Sequence, residues 1–339
     1  MIDQTPPVPT GFFVACTLPV SGFFPKLSKE MDTMEPYTSP AADQISLSGV
    51  WLPLVTPFRD GELDEDSLRR LVRHYAGQPV DGFILAATTG EALTLDEAET
   101  ERLVAVVAAE LAGLGRRVPV LLGLSGSDTR KGVKAIRRTA GLVADGAVDG
   151  YLIACPYYTR PSQRGLLEHF GALADAAERP IVIYNIPYRT GVNMSNDTLL
   201  RLAEHPRIVG VKDCCADLGQ SLALLRDRPA GFSVMTGEDA LFFTMLAHGG
   251  EGGIMASAHV RTADFALVRR LVTAGDLVAA RAVWDRLVTV PQALFAEPSP
   301  SPIKHWLWRA GLIDSAEVRL PMTPISEALA ARLDGMMGE

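Results

Sequence analysis

Two stretches of the sequence decide the fold: IVIYNIPYRTG at residues 181–191 and IVGVKD at residues 208–213. Each begins with a short apolar run rich in β-branched residues, which is typical of a strand buried on both faces of a parallel sheet. Similar runs recur at residues 50–55, 82–86, 118–122, 151–154, 232–235 and 253–255. The chain therefore repeats one pattern, a short buried strand followed by a longer connection.

Amphipathic segments separate the strands and predict helices over residues 95–114, 128–144, 166–177 and 239–248. Asp128 and Asp239 begin two of these segments and are expected to be N-caps. Strand and helix in regular alternation predict an α/β protein, a (β/α)8 barrel of the TIM type with additional C-terminal helices. A doubly wound sheet is the alternative, but it requires a glycine-rich turn after the first strand, where the sequence reads Thr56-Pro57-Phe58.

Three parts of the chain of 339 residues differ in composition. Residues 1–45 are rich in proline and lack periodicity, which predicts an irregular or disordered N-terminal extension. The barrel is expected over residues 46–270. Residues 271–339 carry helical patterns at 271–295, 303–310 and 324–333 and predict the C-terminal helical region.

Composition argues against several classes of function. A net charge of −8 without clusters of Lys and Arg is unfavourable for binding nucleic acid. No apolar run approaches the roughly 18 residues of a membrane-spanning helix. The four cysteines form no C-x-x-C pair, which indicates a reduced, cytoplasmic protein. The histidines lack metal-ligand spacing and no phosphate-binding glycine motif occurs, so neither a metal nor a nucleotide is expected.

Lys212 closes the sixth predicted strand, at the end of the barrel where catalytic groups lie. Burial lowers the pKa of a lysine, and the neutral amine is a nucleophile for carbonyl groups. The alternative is a strand-end lysine that pairs with Asp213 or Glu91, or that extends to solvent. The neighbouring strand ends favour the catalytic interpretation.

Hydroxyl groups follow the other strands. Thr88, Tyr158 and Tyr184 each lie at a predicted strand end, and such hydroxyls can relay protons in a Schiff-base reaction without adding a charge beside the amine. Each tyrosine could instead pack with its hydroxyl satisfied. The turn from Thr88 suits a small carboxylate, and Arg189 could bind a second carboxylate through two hydrogen bonds.

Together these residues resemble the dihydrodipicolinate synthase / N-acetylneuraminate lyase family of pyruvate-dependent class I aldolases. The resemblance extends from about residue 50 to residue 324. It rests on TTGE at 88–91, PYYTRPSQ at 156–163, YNIP and RTG within 184–191, GVKD at 210–213 and LPMTP at 320–324. These motifs are in register with the predicted strands, so the resemblance supports the barrel as well as the chemistry.

The resemblance implies that Lys212 forms a Schiff base with pyruvate, so that the covalent imine takes the place of a cofactor. Tyr184 is then the main acid–base group, linked to Thr88 and to Tyr158. In the family the tyrosine that matches Tyr158 is donated across a dimer interface, which implies a homotetramer built from dimers.

Four further residues bind substrate if the resemblance holds. Thr89 holds the pyruvate carboxylate, and backbone atoms at Gly237 and Ile254 line the site. Arg189 matches the arginine that the synthase branch uses for the carboxylate of L-aspartate 4-semialdehyde, and the lyases usually lack it. The expected reaction is therefore the condensation of pyruvate with this semialdehyde in lysine and diaminopimelate biosynthesis.

The sequence also departs from the family pattern. After Lys212 the synthases usually read Glu-Ala-Thr/Ser-Gly, whereas this chain has Asp213-Cys214-Cys215-Ala216, and His259 replaces a family asparagine. Lysine-sensing relatives carry polar and histidine residues where this chain has Ala92, Leu93, Glu97 and Thr100, so we expect no strong feedback inhibition by lysine.

Two alternatives remain open at the level of sequence. One is another pyruvate-dependent aldolase or dehydratase, acting on a sugar acid or an aromatic aldehyde. The other is a catalytically inactive barrel with a binding or regulatory role, which would have no need for Lys212 together with its hydroxyl neighbours.

Overall fold

Eight parallel strands close into a barrel in the computed structural model, which describes residues 45–337. Each strand pairs with its sequence neighbours, and the first pairs with the last. The strands are β1 (Gly49–Pro53), β2 (Gly82–Leu85), β3 (Val120–Leu124), β4 (Gly150–Ala154), β5 (Ile181–Asn185), β6 (Ile208–Asp213), β7 (Ser233–Thr236) and β8 (Gly252–Ile254). The predicted (β/α)8 barrel is confirmed, since each predicted run overlaps one of these strands.

Side chains that alternate along the strands form two packed regions. Trp51, Leu121, Val182 and Met235 belong to a compact cluster inside the barrel. The intervening strand residues belong to the larger core between the barrel and its helices. At the register position opposite Trp51 stands Gly82, where a Cβ atom would lie 2.3 Å from the indole ring, so the missing side chain makes room for this large interior group.

Helices follow the strands, and most of them cover the outside of the barrel, the exception being the short helix at Pro187–Thr190 in the loop after β5. They are α1 (Glu65–Ala76), α2 (Glu97–Leu114), α3 (Thr129–Arg138), α4 (Ala140–Ala144), α5 (Gln163–Ala176), α6 (Pro187–Thr190), α7 (Asn196–Leu202), α8 (Leu218–Asp227), α9 (Phe242–Ala247) and α10 (Ala258–Thr273). Asp128 caps α3 as predicted, because its carboxylate accepts the Lys131 N–H at 3.0 Å. The helix predicted over residues 128–144 is divided at Thr139, which is not helical.

The predicted N-cap role of Asp239 is wrong. A 3₁₀ turn at Asp239–Leu241 follows β7, and α9 begins only at Phe242. The Asp239 carboxylate instead accepts the N–H of Ser257 at 2.6 Å. It therefore joins the loop after β7 to the loop after β8, a long-range contact that the local pattern does not contain.

Additional helices follow the barrel, as predicted. They are α11 (Leu277–Leu287), α12 (Thr289–Leu294), α13 (Ser301–Arg309) and α14 (Glu327–Met336). The predicted division at residue 270 falls inside α10, against which both α11 and α13 pack. The predicted extension over residues 1–45 lies, except for Ile45, outside the described residues. Within residues 45–337, no helix combines the length and apolar character needed to cross a membrane.

Candidate active site

Lys212 lies inside the carboxyl end of the barrel. It follows Gly210 by two residues on β6, so the alternation of the strand puts both on the interior side, and its residue surface is 5% exposed. Burial lowers the pKa of Lys212, and Cys214, Asp239 and Glu238 oppose that shift. Lys212 forms no salt bridge within the described part of the chain. The structure therefore places a desolvated amine here, the state that favours attack on a carbonyl group.

The alternative partners of Lys212 are engaged elsewhere. Asp213 accepts hydrogen bonds from the Cys215 N–H at 3.0 Å and from the Ser221 hydroxyl at 2.5 Å. Glu91 forms a buried salt bridge with Lys304. A simple structural ion pair therefore does not account for Lys212.

Tyr184 is the direct neighbour of Lys212 across the sheet. The two residues are register partners on β5 and β6, and the Lys212 Nζ atom lies 4.2 Å from the centre of the tyrosine ring. Burial raises the pKa of Tyr184 well above its usual value, and the neighbouring Thr88 side chain acts in the opposite direction. The structure thus brings together Lys212, Tyr184 and Thr88, which the sequence predicted as one group.

The turn after β2 carries the two threonines. Thr88 is half-buried and Thr89 is buried. The Thr56 hydroxyl donates to the Gly90 carbonyl oxygen at 2.7 Å, and the Glu91 N–H donates to the Thr88 carbonyl oxygen at 3.1 Å. These bonds hold the turn against the end of β1, beside the cavity.

Gly237 lies against the side chain of Lys212. A Cβ atom at Gly237 would lie 2.5 Å from the Lys212 Cε atom and 2.3 Å from the Cys214 Sγ atom. Ile254 is fully buried and belongs to the same interior cluster as Tyr184 and Cys214. Both predicted lining residues therefore lie at the carboxyl end of the barrel, with Gly237 in direct contact with the lysine side chain.

A cavity of about 870 Å³ opens at this end of the barrel. Its lining includes Thr88, Tyr158, Tyr184 and Arg189, and it extends to Pro321 in the C-terminal region. Arg189 is exposed on the rim, with its guanidinium carbon 6.0 Å from the ring of Tyr188. The cavity is thus large enough for two small substrates. The Lys212 amine is not part of its lining, but it lies 4.2 Å from the centre of the ring of Tyr184, which is.

Tyr158 differs from the other predicted catalytic residues because 91% of its surface is exposed in the single chain. Its backbone is held in the left-handed region with φ of 68°, and its N–H donates to the Thr190 carbonyl oxygen at 3.2 Å. Such a conformation is costly for a residue other than glycine and is common at functional sites. Tyr158 lines the rim of the cavity but does not hydrogen-bond with Tyr184 or Thr88 in the described residues.

Three polar residues near Lys212 were not among the predicted site residues: Tyr188, Cys214 and Glu238. The Tyr188 and Cys214 side chains lie close enough to the Glu238 carboxylate to act on its pKa. The Glu238 Oε1 atom is nevertheless buried without a partner in the described residues. Burial raises the pKa of Glu238. Its position directly after β7 was the available indication, but strand-end position alone does not specify a role.

His259, the replacement for a family asparagine, has a structural role. Its Nε2 atom accepts the Val55 N–H at 3.3 Å, and its Nδ1 atom lies 2.8 Å from the Ala256 carbonyl oxygen. Burial lowers the pKa of His259 to about 4, so the ring is neutral near pH 7 and can donate through Nδ1 while accepting through Nε2. It joins the end of β1 to the loop after β8. Across residues 45–337, no three His, Cys, Asp or Glu residues are grouped so that they could hold a metal ion.

Comparison with known proteins agrees with this geometry. The model of the dihydrodipicolinate synthetase family matches residues 46–337. The 4-hydroxy-tetrahydrodipicolinate synthase 2 of Clostridium acetobutylicum is 43% identical over 292 residues, which cover 86% of this chain and 99% of that protein. The corresponding synthase of Syntrophus aciditrophicus is 38% identical over 85% of this chain and 97% of its own length.

A solved structure shows the same fold. DHDPS from Cyanidioschyzon merolae, crystallised with lysine bound, has a TM-score of 0.81 and 33% sequence identity, covering 86% of this chain and 97% of that one. The family resemblance predicted from the motifs is confirmed. The chain belongs to the dihydrodipicolinate synthetase family.

Proposed function

We propose that this protein is a Schiff-base lyase that condenses pyruvate with L-aspartate 4-semialdehyde, the 4-hydroxy-tetrahydrodipicolinate synthase reaction. The observation that carries the proposal is the buried amine of Lys212, 4.2 Å from the centre of the Tyr184 ring and without a salt-bridge partner in the described residues. The relatives with this activity in their names support it, because they align over nearly their whole length.

The first half of the reaction activates pyruvate. The neutral Lys212 amine attacks the ketone carbon, a C–N bond forms, and the ketone oxygen leaves as water to give an iminium ion. Loss of a proton from the methyl carbon then gives an enamine. We propose that the Tyr184 hydroxyl, next to the Thr88 side chain, donates and accepts these protons. Thr89, buried in the same turn, is the proposed partner of the pyruvate carboxylate.

The second half joins the two substrates. The enamine carbon attacks the aldehyde carbon, a C–C bond forms, and the aldehyde oxygen takes up a proton. The amino group of the semialdehyde can then attack the imine carbon, which closes a ring and releases the Lys212 amine. We propose that no cofactor takes part, since the covalent imine on Lys212 itself withdraws electrons from the reacting carbon.

Opposite charges close to Tyr188, which lines the cavity, favour the semialdehyde over the other aldehydes. Arg189 and Glu238 both act electrostatically on Tyr188, so a cation and a carboxylate flank the same part of the site. A substrate with both a carboxylate and an ammonium group satisfies this pair. An aromatic aldehyde would leave both charges unpaired, and a sugar acid would offer Glu238 no cation.

We also propose a homotetramer built from dimers in which Tyr158 completes the site of the neighbouring subunit. The 91% exposure of Tyr158 on the cavity rim supports this arrangement, because the residues from 45 to 337 leave most of the tyrosine uncovered. A cytoplasmic location is proposed as well, and the free thiols of Cys155, Cys214 and Cys215 are in keeping with a reducing compartment.

Borohydride trapping tests the proposed chemistry. Incubation with pyruvate and borohydride is expected to leave a reduced adduct on Lys212, detected by peptide mass spectrometry, and none in Lys212→Met. Absence of the adduct from the native protein would reject both aldolase interpretations and favour the inactive barrel.

The aldehyde substrate is tested with Arg189→Ala. We expect semialdehyde turnover to fall by about 100-fold while the pyruvate adduct still forms, since a bidentate contact to the substrate is lost. Arg164→Ala, which removes an exposed arginine from α5, is the control and should behave like the native protein. Unchanged turnover in Arg189→Ala, or faster turnover of an aromatic aldehyde or a sugar acid, would contradict the assignment.

A further inference from the structure

A buried ion pair joins the substrate-binding turn to the C-terminal helices. The Lys304 side chain is 0% exposed and the Glu91 side chain 2% exposed, and they form a salt bridge. The Lys304 Nζ atom also donates to the Glu317 carbonyl oxygen at 2.7 Å and lies 4.3 Å from the centre of the Phe58 ring. Glu91 directly follows the Thr88–Gly90 turn, whereas Lys304 belongs to α13.

Glu91 has a second partner from the same C-terminal region. The Arg319 N–H donates to the Glu91 Oε2 atom at 2.9 Å. The Arg319 guanidinium donates to the Thr94 carbonyl oxygen at 2.9 Å and to Glu99, and it lies 4.1 Å from the centre of the Phe58 ring. Glu91 and residues that follow it are therefore held by groups that come from beyond the barrel.

The backbone at Glu91 requires such support. Its φ of 55° and ψ of 38° lie in the left-handed region, which is energetically unfavourable for a residue that has a side chain. The Glu91 N–H donates to the Thr88 carbonyl oxygen, so a shift of Glu91 moves the threonine turn with it. Loss of the Lys304 cation would leave the Glu91 carboxylate buried without its charged partner, and turning toward water would stabilise this carboxylate. Glu91 lines the cavity, so the cavity offers it a way to water.

We propose that Lys304 is a positioning residue for substrate binding: through Glu91 it holds the turn that carries Thr88 and Thr89 in the geometry that binds pyruvate. The α13 segment is therefore part of the catalytic apparatus although it does not contact the reacting atoms. This inference rests on the proposed function, because pyruvate binding at the turn is the property that it explains.

Lys304→Met tests the inference, and Arg309→Met on the same helix is the matched control. Arg309 is an exposed cation that pairs with Asp334, so its loss removes a charge from α13 without touching the turn. We expect KM for pyruvate to rise at least about tenfold in Lys304→Met and to stay unchanged in Arg309→Met. The adduct on Lys212 at saturating pyruvate should form in full in both variants, because the amine is intact.

The double variant Glu91→Gln/Lys304→Met separates positioning from stability. It removes both buried charges, so the melting temperature should recover toward that of the native protein, but the anchor to α13 is still missing and KM should stay high. Recovery of KM together with the melting temperature, or an unchanged KM in Lys304→Met, would overturn the inference. A native protein without any pyruvate adduct would instead overturn the proposed function, so the two failures are distinguishable.

Discussion

At the scale of single residues, the proposed chemistry depends on a lysine that the barrel interior shields from water and that forms no salt bridge within the described residues. Lys212 shares its face of the barrel with Gly210, and Gly237 leaves space for its side chain. Desolvation therefore outweighs the surrounding acidic groups, and the pKa of Lys212 is lowered. The same environment surrounds Tyr184, whose pKa it raises, so the phenol stays protonated and can donate.

The Tyr184 hydroxyl is the first target. Tyr184→Phe keeps the ring beside the Lys212 amine and removes only the proton relay, so kcat should fall by roughly 10²–10⁴-fold. Steady-state kinetics measure the loss. Tyr151→Phe is the control, because it removes a buried hydroxyl that bonds with Thr139 outside the site. Equal kcat values in native protein and Tyr184→Phe would exclude the assigned acid–base role.

Gly237 is the second target. Gly237→Ala puts a methyl group 2.5 Å from the Lys212 Cε atom and 2.3 Å from the Cys214 Sγ atom, so one of the two side chains must move. We expect a large loss of adduct formation with pyruvate and partial recovery in Cys214→Ala/Gly237→Ala. Gly171→Ala on α5, where nothing lies within 4 Å of the added carbon, should leave adduct formation unchanged. Adduct formation at the native level in Gly237→Ala would disprove the close approach of Gly237 to the Lys212 side chain.

At the scale of elements, the catalytic turn depends on packing between the barrel and α13. The turn begins where β2 ends, but Glu91 is held by Lys304 and Arg319 from the C-terminal region. Breaking a buried pair by removing one partner is costly, since the other charge stays buried.

The burial of the Glu91–Lys304 pair predicts how the loss of one partner changes the free energy of unfolding. Lys304→Met should lower the free energy of unfolding by about 3–5 kcal/mol, and Glu91→Gln/Lys304→Met should recover most of it. Urea denaturation measures both values. A stability loss under about 1 kcal/mol in the single variant would mean that the pair is not buried as described.

The pKa of Lys304 predicts how the stability difference between the native protein and Lys304→Met depends on pH. Burial lowers the pKa of Lys304 from 10.5 to about 8. Between these values the unfolded chain holds a proton that the folded protein has lost, so the lysine contributes stability that increases as the pH rises. The facing groups Glu91, Glu317 and Arg319 act on the same pKa. The stability gap between native protein and Lys304→Met should therefore widen above about pH 8, and a gap that narrows would contradict the shift.

At the scale of the whole molecule, the proposed dimer makes two defective variants complementary. Tyr158→Phe lacks the tyrosine that a subunit donates, and Tyr184→Phe lacks the one that it keeps. Mixed dimers restore one intact site of two, so co-expression should recover about a quarter of native activity if the subunits mix at random. Activity no higher than that of the separate variants would show that Tyr158 does not act across subunits.

Regulation by lysine is a second property of the assembly. Ala92 and Leu93 follow the catalytic turn, and Leu93 is 71% exposed. Neither side chain offers hydrogen bonds or charge to a bound amino acid, so we expect little inhibition by lysine. Initial rates at increasing lysine concentration test this, and half-inhibition below about the millimolar range would contradict it.

Much of the site could be predicted because strand ends are locally encoded. Buried runs locate the strands, parallel strands bring their carboxyl ends to one rim, and the residues that follow must then meet there. Lys212, Tyr184 and Thr88 meet in this way. Asp239 was assigned wrongly because a carboxylate at the start of a helical pattern resembles an N-cap, whereas its partner Ser257 is 18 positions away.

The sequence by itself determined the barrel, the order of its strands and the residues at their catalytic ends, since periodicity and alternation act over a few neighbouring positions. Only the tertiary structure decided which charges pair. The sequence left Glu91 and Asp213 as possible partners of Lys212, but Glu91 binds Lys304 and the Arg319 N–H, the latter 228 positions away. Such pairs depend on how distant elements pack, and the desolvated state of Lys212 follows from that packing.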